Sequence, residues 1–278
     1  MYVPCRKCVE CKVQYAEDWA RRVVLEAKKH EKNCFITLTY NDANLPEGAS
    51  VCKRSAQLFM KKLRKAIAPI KVRYFLCGEY GAEKNRPHYH AILFGYDFED
   101  KRYFSTDRRG NPIYRSPLLE KLWTYGFSSV GDRLDFETAK YCAKYMQADC
   151  REFERIGLKP PFTLMSRRPG LALDVIPDSV MKYGDLYMDG KRCIAPRAFR
   201  KKAKELAPID METGEVLYPS WTDYKPDYTI KGLRGTINTE ISLNERRKKY
   251  KKIFGKSLDK NFSIVVSLKR GGTMRKTK

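Results

Sequence analysis

The chain has 278 residues, a hydrophobic content of 42% and a formal net charge of +23. That hydrophobic content is enough to bury an ordinary core, so the composition excludes global disorder. No stretch approaches about 18 apolar residues, and the N-terminus is polar and cysteine-rich, so neither a transmembrane helix nor a secretory signal is predicted. The surplus of Lys and Arg favours a polyanionic partner, because these side chains displace counterions condensed on phosphates. A nuclease, a ribosomal protein and a membrane-surface protein all fit this charge.

Three of the nine cysteines cluster near the N-terminus, at Cys5, Cys8 and Cys11. Without a secretory signal, a reducing cytoplasm is expected, with thiols free or bound to metal. Three cysteines at this spacing would bind Zn²⁺ with a fourth ligand, but the sequence offers no obvious fourth. The alternative is that they share one face of a helix.

Hydrophobic periodicity predicts alternating helices and strands up to residue 149. Helices are predicted over 13–29, 55–68 and 135–149, and strands over 34–40, 72–79, 88–94 and 127–130. The segment 96–117 is polar and rich in turn formers, which is typical of an insertion. Beyond residue 151 repeated prolines weaken the pattern. From Ile241 onward, 13 basic residues stand against two acidic ones, which predicts a solvated tail that binds nucleic acid.

Two of the three histidines form the pair His88 and His90 within a predicted strand. Side chains two apart in a strand share a face, so both imidazoles point the same way. If the preceding strand pairs Cys77 with His90, then Glu79 lies directly opposite His88. Two imidazoles and one carboxylate on one face suit a divalent cation with open positions for water and phosphate. The alternative is two half-exposed polar residues with no ligand.

A second pair, Tyr141 and Tyr145, lies four residues apart in the last predicted helix, so both side chains share a face. A phenol is a poor nucleophile at neutral pH, and the adjacent Lys144 would stabilise a phenolate or a leaving group. Two tyrosines would permit two successive transesterifications. The alternative is an aromatic pair that packs in the core.

These motifs resemble those of the HUH superfamily of rolling-circle replication initiators. His88-Tyr-His90 is similar to the HUH motif, Tyr141-Cys-Ala-Lys144 to the YxxK motif, and the strand at 34–40 to the first strand motif. In the branch found in circular-DNA viruses, an acidic residue on the strand before the histidines completes the metal site. Glu79 matches that position.

A narrower resemblance, over roughly residues 1–200, is to the replication initiators of Microviridae, in particular gokushoviruses, which are small single-stranded DNA bacteriophages. It rests on four runs and on the spacing of the paired tyrosines. The runs are the Cys5–Cys11 cluster with Trp19-Ala-x-Arg22, then Thr37-Leu-Thr-Tyr40-Asn-Asp42, Arg86-Pro-His-Tyr-His90 and Met165-Ser-Arg-Arg-Pro-Gly170.

This resemblance implies an α+β fold in which an antiparallel sheet carries the HxH strand centrally and helices pack on it. It implies an endonuclease domain over 1–200 and a basic, partly flexible, DNA-binding region over 201–278. It further implies Mg²⁺ or Mn²⁺ at Glu79, His88 and His90. The activity implied is nicking of single-stranded origin DNA, which leaves a 5′-phosphotyrosine and a free 3′-hydroxyl for the host polymerase, followed by rejoining.

Contacts with DNA phosphates are expected from Arg86, Arg167 and Arg168, the basic face at 61–65 and the tail. Gly255-Lys-Ser257 is not a phosphate loop, because Tyr250 occupies the position of the required glycine. Unwinding is therefore assigned to a host helicase, in the bacterial cytoplasm. The alternatives are a non-enzymatic single-stranded nucleic-acid-binding protein and a ribosome-associated RNA binder.

Overall fold

A computed structural model describes residues 9–81, 86–107, 110–131, 134–144 and 150–207. The helices are α1 (Val9–Ala27), α2 (Lys53–Ala66), α3 (Pro117–Leu122), α4 (Phe136–Lys144), α5 (Cys150–Arg155), α6 (Asp178–Tyr183) and α7 (Arg197–Glu205). The strands are β1 (Asn33–Tyr40), β2 (Arg73–Tyr80), β3 (Pro87–Phe94), β4 (Arg102–Thr106), β5 (Pro112–Arg115), β6 (Gly126–Gly131), β7 (Phe162–Met165), β8 (Asp185–Met188) and β9 (Lys191–Ile194).

The main sheet has seven strands in the order β4-β5-β6-β1-β3-β2-β7. Every neighbouring pair is antiparallel, and β3, which carries both histidines, lies inside the sheet between β1 and β2. The predicted α+β class, with an antiparallel sheet and the HxH strand in its interior, is confirmed. A separate hairpin, β8–β9, forms the second sheet.

Strict alternation along β1 separates the two faces of the sheet. Residues at even positions are buried and those at odd positions are partly exposed, as expected when successive side chains point to opposite faces. The even face packs against α2 and α3 around Trp123, Tyr89 and Phe59. Helices were expected on this side, beneath Tyr89 and Leu93, and the structure confirms it.

The odd face, which holds His88 and His90, is partly covered by α1 and α4. Small residues let both helices approach the strands: Ala16 and Ala20 of α1, with Ala139 and Ala143 of α4, pack in one core with Phe75 and Ile92. Alanine contributes no bulk beyond Cβ, so the backbone of α4 lies close to the histidine strand. This helix therefore brings Tyr141 to the site described below.

Three features depart from the sequence-based expectation. The segment 96–117 is a β4–β5 hairpin that extends the main sheet past β6. Beyond residue 151 the chain forms β7, which pairs with β2, and the β8–β9 hairpin. Helix α4 ends at Lys144, and residues 145–149 lie outside the described ranges.

A buried carboxylate ties the segment after β7 to the rest of the fold. Glu26 of α1 accepts hydrogen bonds from Arg73 Nε at 2.5 Å and from the Ala172 backbone N–H at 2.6 Å. Burial alone would raise the pKa of Glu26, but these hydrogen bonds and the charge of Arg73 lower it. Arg22 adds two hydrogen bonds to the Leu171 carbonyl. The search for helices long and apolar enough to span a membrane found none among the described residues.

Candidate metal centre

The β2–β3 hairpin has the register that the sequence predicted. Cys77 pairs with His90, and Glu79 pairs with His88. Glu79, His88 and His90 therefore converge on one face, each offering a ligand atom within 4.8 Å of the others. The side chain of His88 is half-buried, and the other two side chains are buried.

One carboxylate oxygen, Glu79 Oε1, lies at the centre of this cluster. It is 3.0 Å from His88 Nε2 and 2.9 Å from His90 Nε2. The two imidazole rings lie edge to face, with centroids 4.9 Å apart. Both Nε2 atoms thus point at the same small volume, which is the arrangement that a shared ion requires.

The other ring nitrogens hold the imidazoles in place. His88 Nδ1 lies 3.0 Å from the backbone carbonyl of Arg86, which only accepts, so Nδ1 carries the proton. His90 Nδ1 lies 3.0 Å from the hydroxyl of Thr37 on β1. Ligating histidines commonly use their second nitrogen in this way, which fixes the ring and leaves Nε2 for the ion. Thr37 is a positioning residue that sequence reasoning missed, because the β1–β3 register was not predicted.

Electrostatics and hydrogen bonding fit a cation at this point. Burial would raise the pKa of Glu79, but hydrogen bonds from His88 and His90 and their charge lower it to about 2. The carboxylate is therefore ionised at neutral pH. Among the described residues, its second oxygen, Oε2, is buried and has no hydrogen-bond partner. Such an unsatisfied buried acceptor is costly unless a ligand completes it, and a donor set of two imidazoles and a carboxylate suits a divalent metal ion.

The hydroxyl of Tyr141 reaches the same cluster. It donates a hydrogen bond to Glu79 Oε1 at 2.7 Å, and its ring packs edge-on against His90 with centroids 5.3 Å apart. Burial, the negative charge of Glu79 and this hydrogen bond raise the pKa of Tyr141 above its ordinary value. The side chain nevertheless remains 38% exposed, so it is not an ordinary core aromatic.

Arg86 stabilises the loop that follows β1. Its guanidinium donates to the Tyr40 carbonyl at 2.9 Å and forms an ion pair with Asp42. The Arg86 carbonyl in turn accepts the proton of His88 Nδ1. Arg86 therefore supports the site through its neighbours, and its predicted contact with a DNA phosphate stays a prediction.

Arg167 and Arg168 do not join the cluster. Both are exposed, and they follow Ser166, whose backbone N–H bonds to the Tyr74 carbonyl. Tyr74 is five residues before Glu79 on β2, a separation of about 16 Å along a strand. Their predicted contact with DNA would therefore be made away from the metal cluster.

Other predicted site residues lie partly or wholly outside the described residues. Tyr145, Cys5 and Cys8 lie outside them, as does the tail after Ile241. Lys144 ends α4, but its side chain is not among those described. Cys11 lies in α1 with a free thiol. The Zn²⁺ interpretation of the cysteine cluster stays a prediction.

Comparison with known proteins agrees with this site. Residues 33–150, which contain the metal cluster and Tyr141, match a family described as replication-associated protein ORF2. The chain resembles phage replication proteins. It is 32% identical to the replication-associated protein ORF2 of Spiroplasma virus 4 over 179 residues, which cover 61% of this chain and 56% of that protein. The resemblance predicted from the motifs is thus confirmed.

Two further relatives are also 32% identical. They are the replication-associated protein ORF4 of Chlamydia phage 1, with 53% of this chain and 39% of that protein covered, and the replication-associated protein VP4 of Bdellovibrio phage phiMH2K, with 51% and 47% covered. The chain thus spans about half the length of the curated relatives that it matches. No solved structure matches.

Proposed function

We propose that this protein is a replication-initiation endonuclease that nicks single-stranded origin DNA through Tyr141 and later rejoins the strand. One observation carries the proposal: the Tyr141 hydroxyl and both histidine Nε2 atoms lie within 3.0 Å of the same carboxylate oxygen of Glu79. A nucleophile and a metal-ligand set thus share one point. A similarity to phage replication-associated proteins over residues 33–150 supports the same function.

Glu79, His88 and His90 would hold Mg²⁺ or Mn²⁺, which when bound polarises a scissile phosphate and offsets negative charge in the transition state. The residues of the chain set the geometry. Thr37 and the Arg86 carbonyl orient the imidazoles, and the packing of α4 on the sheet directs Tyr141 towards them. Such fixed positioning supplies much of the rate enhancement in phosphoryl transfer.

The covalent step conserves one phosphodiester. The Tyr141 oxygen loses its proton and attacks phosphorus, the bond to the 3′-oxygen breaks, and the departing oxygen takes a proton to become a 3′-hydroxyl. The product is a 5′-phosphotyrosine, whose ester supports rejoining in the reverse direction. In this proposal Tyr145 performs the second transesterification, and Lys144 stabilises the phenolate or the leaving oxygen. A host helicase unwinds the duplex, and the host polymerase extends the new 3′-end in the bacterial cytoplasm.

The decisive test follows covalent attachment of a labelled single-stranded phage DNA fragment in the presence of Mn²⁺. Wild type should form an adduct that survives denaturing electrophoresis, and Tyr141→Phe should lose it, since the variant lacks the attacking oxygen. Its fold should survive, because it loses one hydrogen bond worth about 1 kcal/mol. Tyr187→Phe, an exposed tyrosine on the β8–β9 hairpin, is the matched control and should behave like wild type.

The alternatives give different results. If Tyr141→Phe forms the adduct at the wild-type rate and Tyr145→Phe does not, the order of the two tyrosines is reversed. An adduct in the double Phe variant would exclude tyrosine chemistry on this helix. A wild-type protein that binds the fragment tightly but never becomes linked to it would be a non-enzymatic single-strand binder.

A further inference from the structure

The odd face of the sheet continues past the metal cluster as an open groove across β1, β6 and the β4–β5 hairpin. Its floor consists of small hydroxyl side chains, Thr37, Thr39 and Ser129 among them. Two aromatic rings, Phe104 and Phe127, line it with Arg115. Within the described ranges, no helix of the α1–α4 core covers the β4–β5–β6 part of the groove, since that core draws its strand residues from β1, β2, β3 and β7.

The groove and the metal cluster are continuous. Thr37 lines the groove, and its hydroxyl lies 3.0 Å from His90 Nδ1. Thr39 pairs with His88 across one edge of β1 and with Phe127 across the other. A chain lying in the groove would therefore pass from the β4–β5 hairpin directly to the cluster.

The two rings are far more exposed than their chemistry favours. Phe104 is 60% exposed and Phe127 is 61% exposed, whereas phenylalanine usually lies in the interior. Arg115 stacks 5.2 Å from the Phe104 ring and donates to Glu120 at 2.6 Å. Its charge is thus partly balanced by that carboxylate, and apolar stacking dominates the groove. Flat rings above a floor of hydroxyl groups suit unpaired bases, because every base has a π-face that stacks on an aromatic ring.

We infer that this groove binds the single-stranded segment next to the scissile phosphate, with one base stacked on Phe127 and another on Phe104. The inference rests on the proposed function in that it takes the DNA to run from the groove to the metal cluster. It assigns a role to the β4–β5 hairpin, which holds unpaired DNA in place with little dependence on base identity. The net charge of +23 complements such a polyanion.

The test measures binding of a 12-nucleotide fluorescent single strand in EDTA, where no nicking takes place. Phe104→Ala and Phe127→Ala should each weaken binding about five-fold or more, the effect of losing one stacked base. Their salt dependence should match wild type, because stacking releases no counterions. Phe127→Trp should retain wild-type affinity, and Phe127→Leu should bind as weakly as Phe127→Ala. Tyr187→Ala, which removes an exposed ring elsewhere, is the control and should bind like wild type.

Affinity for a duplex of the same sequence should not change, since its bases are already stacked on one another. Wild-type affinity of both alanine variants for the single strand would overturn the inference, as would an equal loss for single strand and duplex. A wild-type dimer that the alanine variants convert to monomer would assign the groove to self-association instead. If wild type never nicks DNA yet the variants lose single-strand binding, the proposed function fails and the groove stands. Normal nicking with unchanged binding would sink the groove alone.

Discussion

At the scale of single residues, Glu79 connects the two halves of the proposed chemistry. The same oxygen receives a hydrogen bond from the nucleophile candidate and contacts from both histidines. Without a cation, this arrangement holds Tyr141 in its protonated form, because a nearby negative charge disfavours the phenolate. A positive ion held by the same carboxylate would reverse that electrostatic effect. Glu79 therefore makes the reactivity of Tyr141 depend on the proposed metal.

The low pKa of Glu79 predicts a pH dependence of stability in the metal-free protein. Its folded value of about 2 lies below the usual 4.5, so ionisation stabilises the fold above pH 4.5, and this contribution is lost as the pH falls towards 2. By proton linkage the contribution is roughly 3 kcal/mol at most. The free energy of unfolding of wild type, relative to Glu79→Gln, should therefore decrease between about pH 5 and pH 2.

Denaturant unfolding of both proteins in EDTA at several pH values measures this difference. The comparison with Glu79→Gln removes the contribution of other carboxylates, such as Glu26, because these titrate alike in both proteins. A difference in unfolding free energy that stays constant from pH 5 to pH 2 would show that the hydrogen bonds to the histidines do not stabilise the ionised form.

At the scale of elements, the end of β1 depends on close contact with β6. A Cβ added at Gly126 would lie 2.3 Å from the Asn41 nitrogen and 2.4 Å from the Thr39 carbonyl oxygen. These are backbone atoms, which cannot rotate away as a flexible side chain can. The neighbouring Gly131, on the same strand, would place its Cβ 3.8 Å from Phe35, an ordinary contact.

Gly126→Ala should therefore destabilise the protein by about 1–3 kcal/mol or more, as overpacking does. Gly131→Ala should be neutral or slightly stabilising, since alanine reduces the entropy of the unfolded chain. Urea unfolding of both variants beside wild type provides the measurement. Equal stabilities of the two variants would contradict the close approach of β6 to the end of β1.

How much of these elements the sequence reveals depends on their length and periodicity. The long amphipathic helices and the strands β1, β2 and β3 were predicted, and the pairing of Glu79 with His88 followed from one assumed hairpin register. The strands β4, β5 and β7 are four or five residues long, too short for a clear alternation, and they were missed. The contact between Thr37 and His90 depends on pairing between strands distant in sequence, which local patterns do not specify.

At the scale of the whole molecule, the positive charge is spread well beyond the proposed active site. The basic side chains at 61–65 on α2 are exposed, and α2 packs on the face of the sheet opposite the histidines. Arg167 and Arg168 follow the far end of β7. Charges so distributed would attract DNA to many parts of the surface and read no bases.

Deleting residues 241–278, with 13 basic and two acidic residues, should weaken binding of origin and random single strands to a similar degree. The slope of log affinity against log salt should become less steep by about 0.7 for each DNA phosphate that the tail no longer neutralises. A full-length variant with these Lys and Arg residues replaced by Gln is the control for chain length and should behave like the deletion. Titrations at several salt concentrations measure both quantities, and a selective loss for origin DNA would mean that the tail reads sequence.

The proposed ligand set and the nucleophile also differ in how far apart they lie along the chain. Glu79 and His88 are nine residues apart on one hairpin, whereas Tyr141 is 62 residues from Glu79. Short loops close at a smaller entropic cost than long ones, so local contacts tend to form first. We therefore expect the hairpin to assemble early during folding and α4 to dock later. An incompletely folded copy would then hold an ion but carry no positioned tyrosine, which would protect the phage genome from premature cleavage.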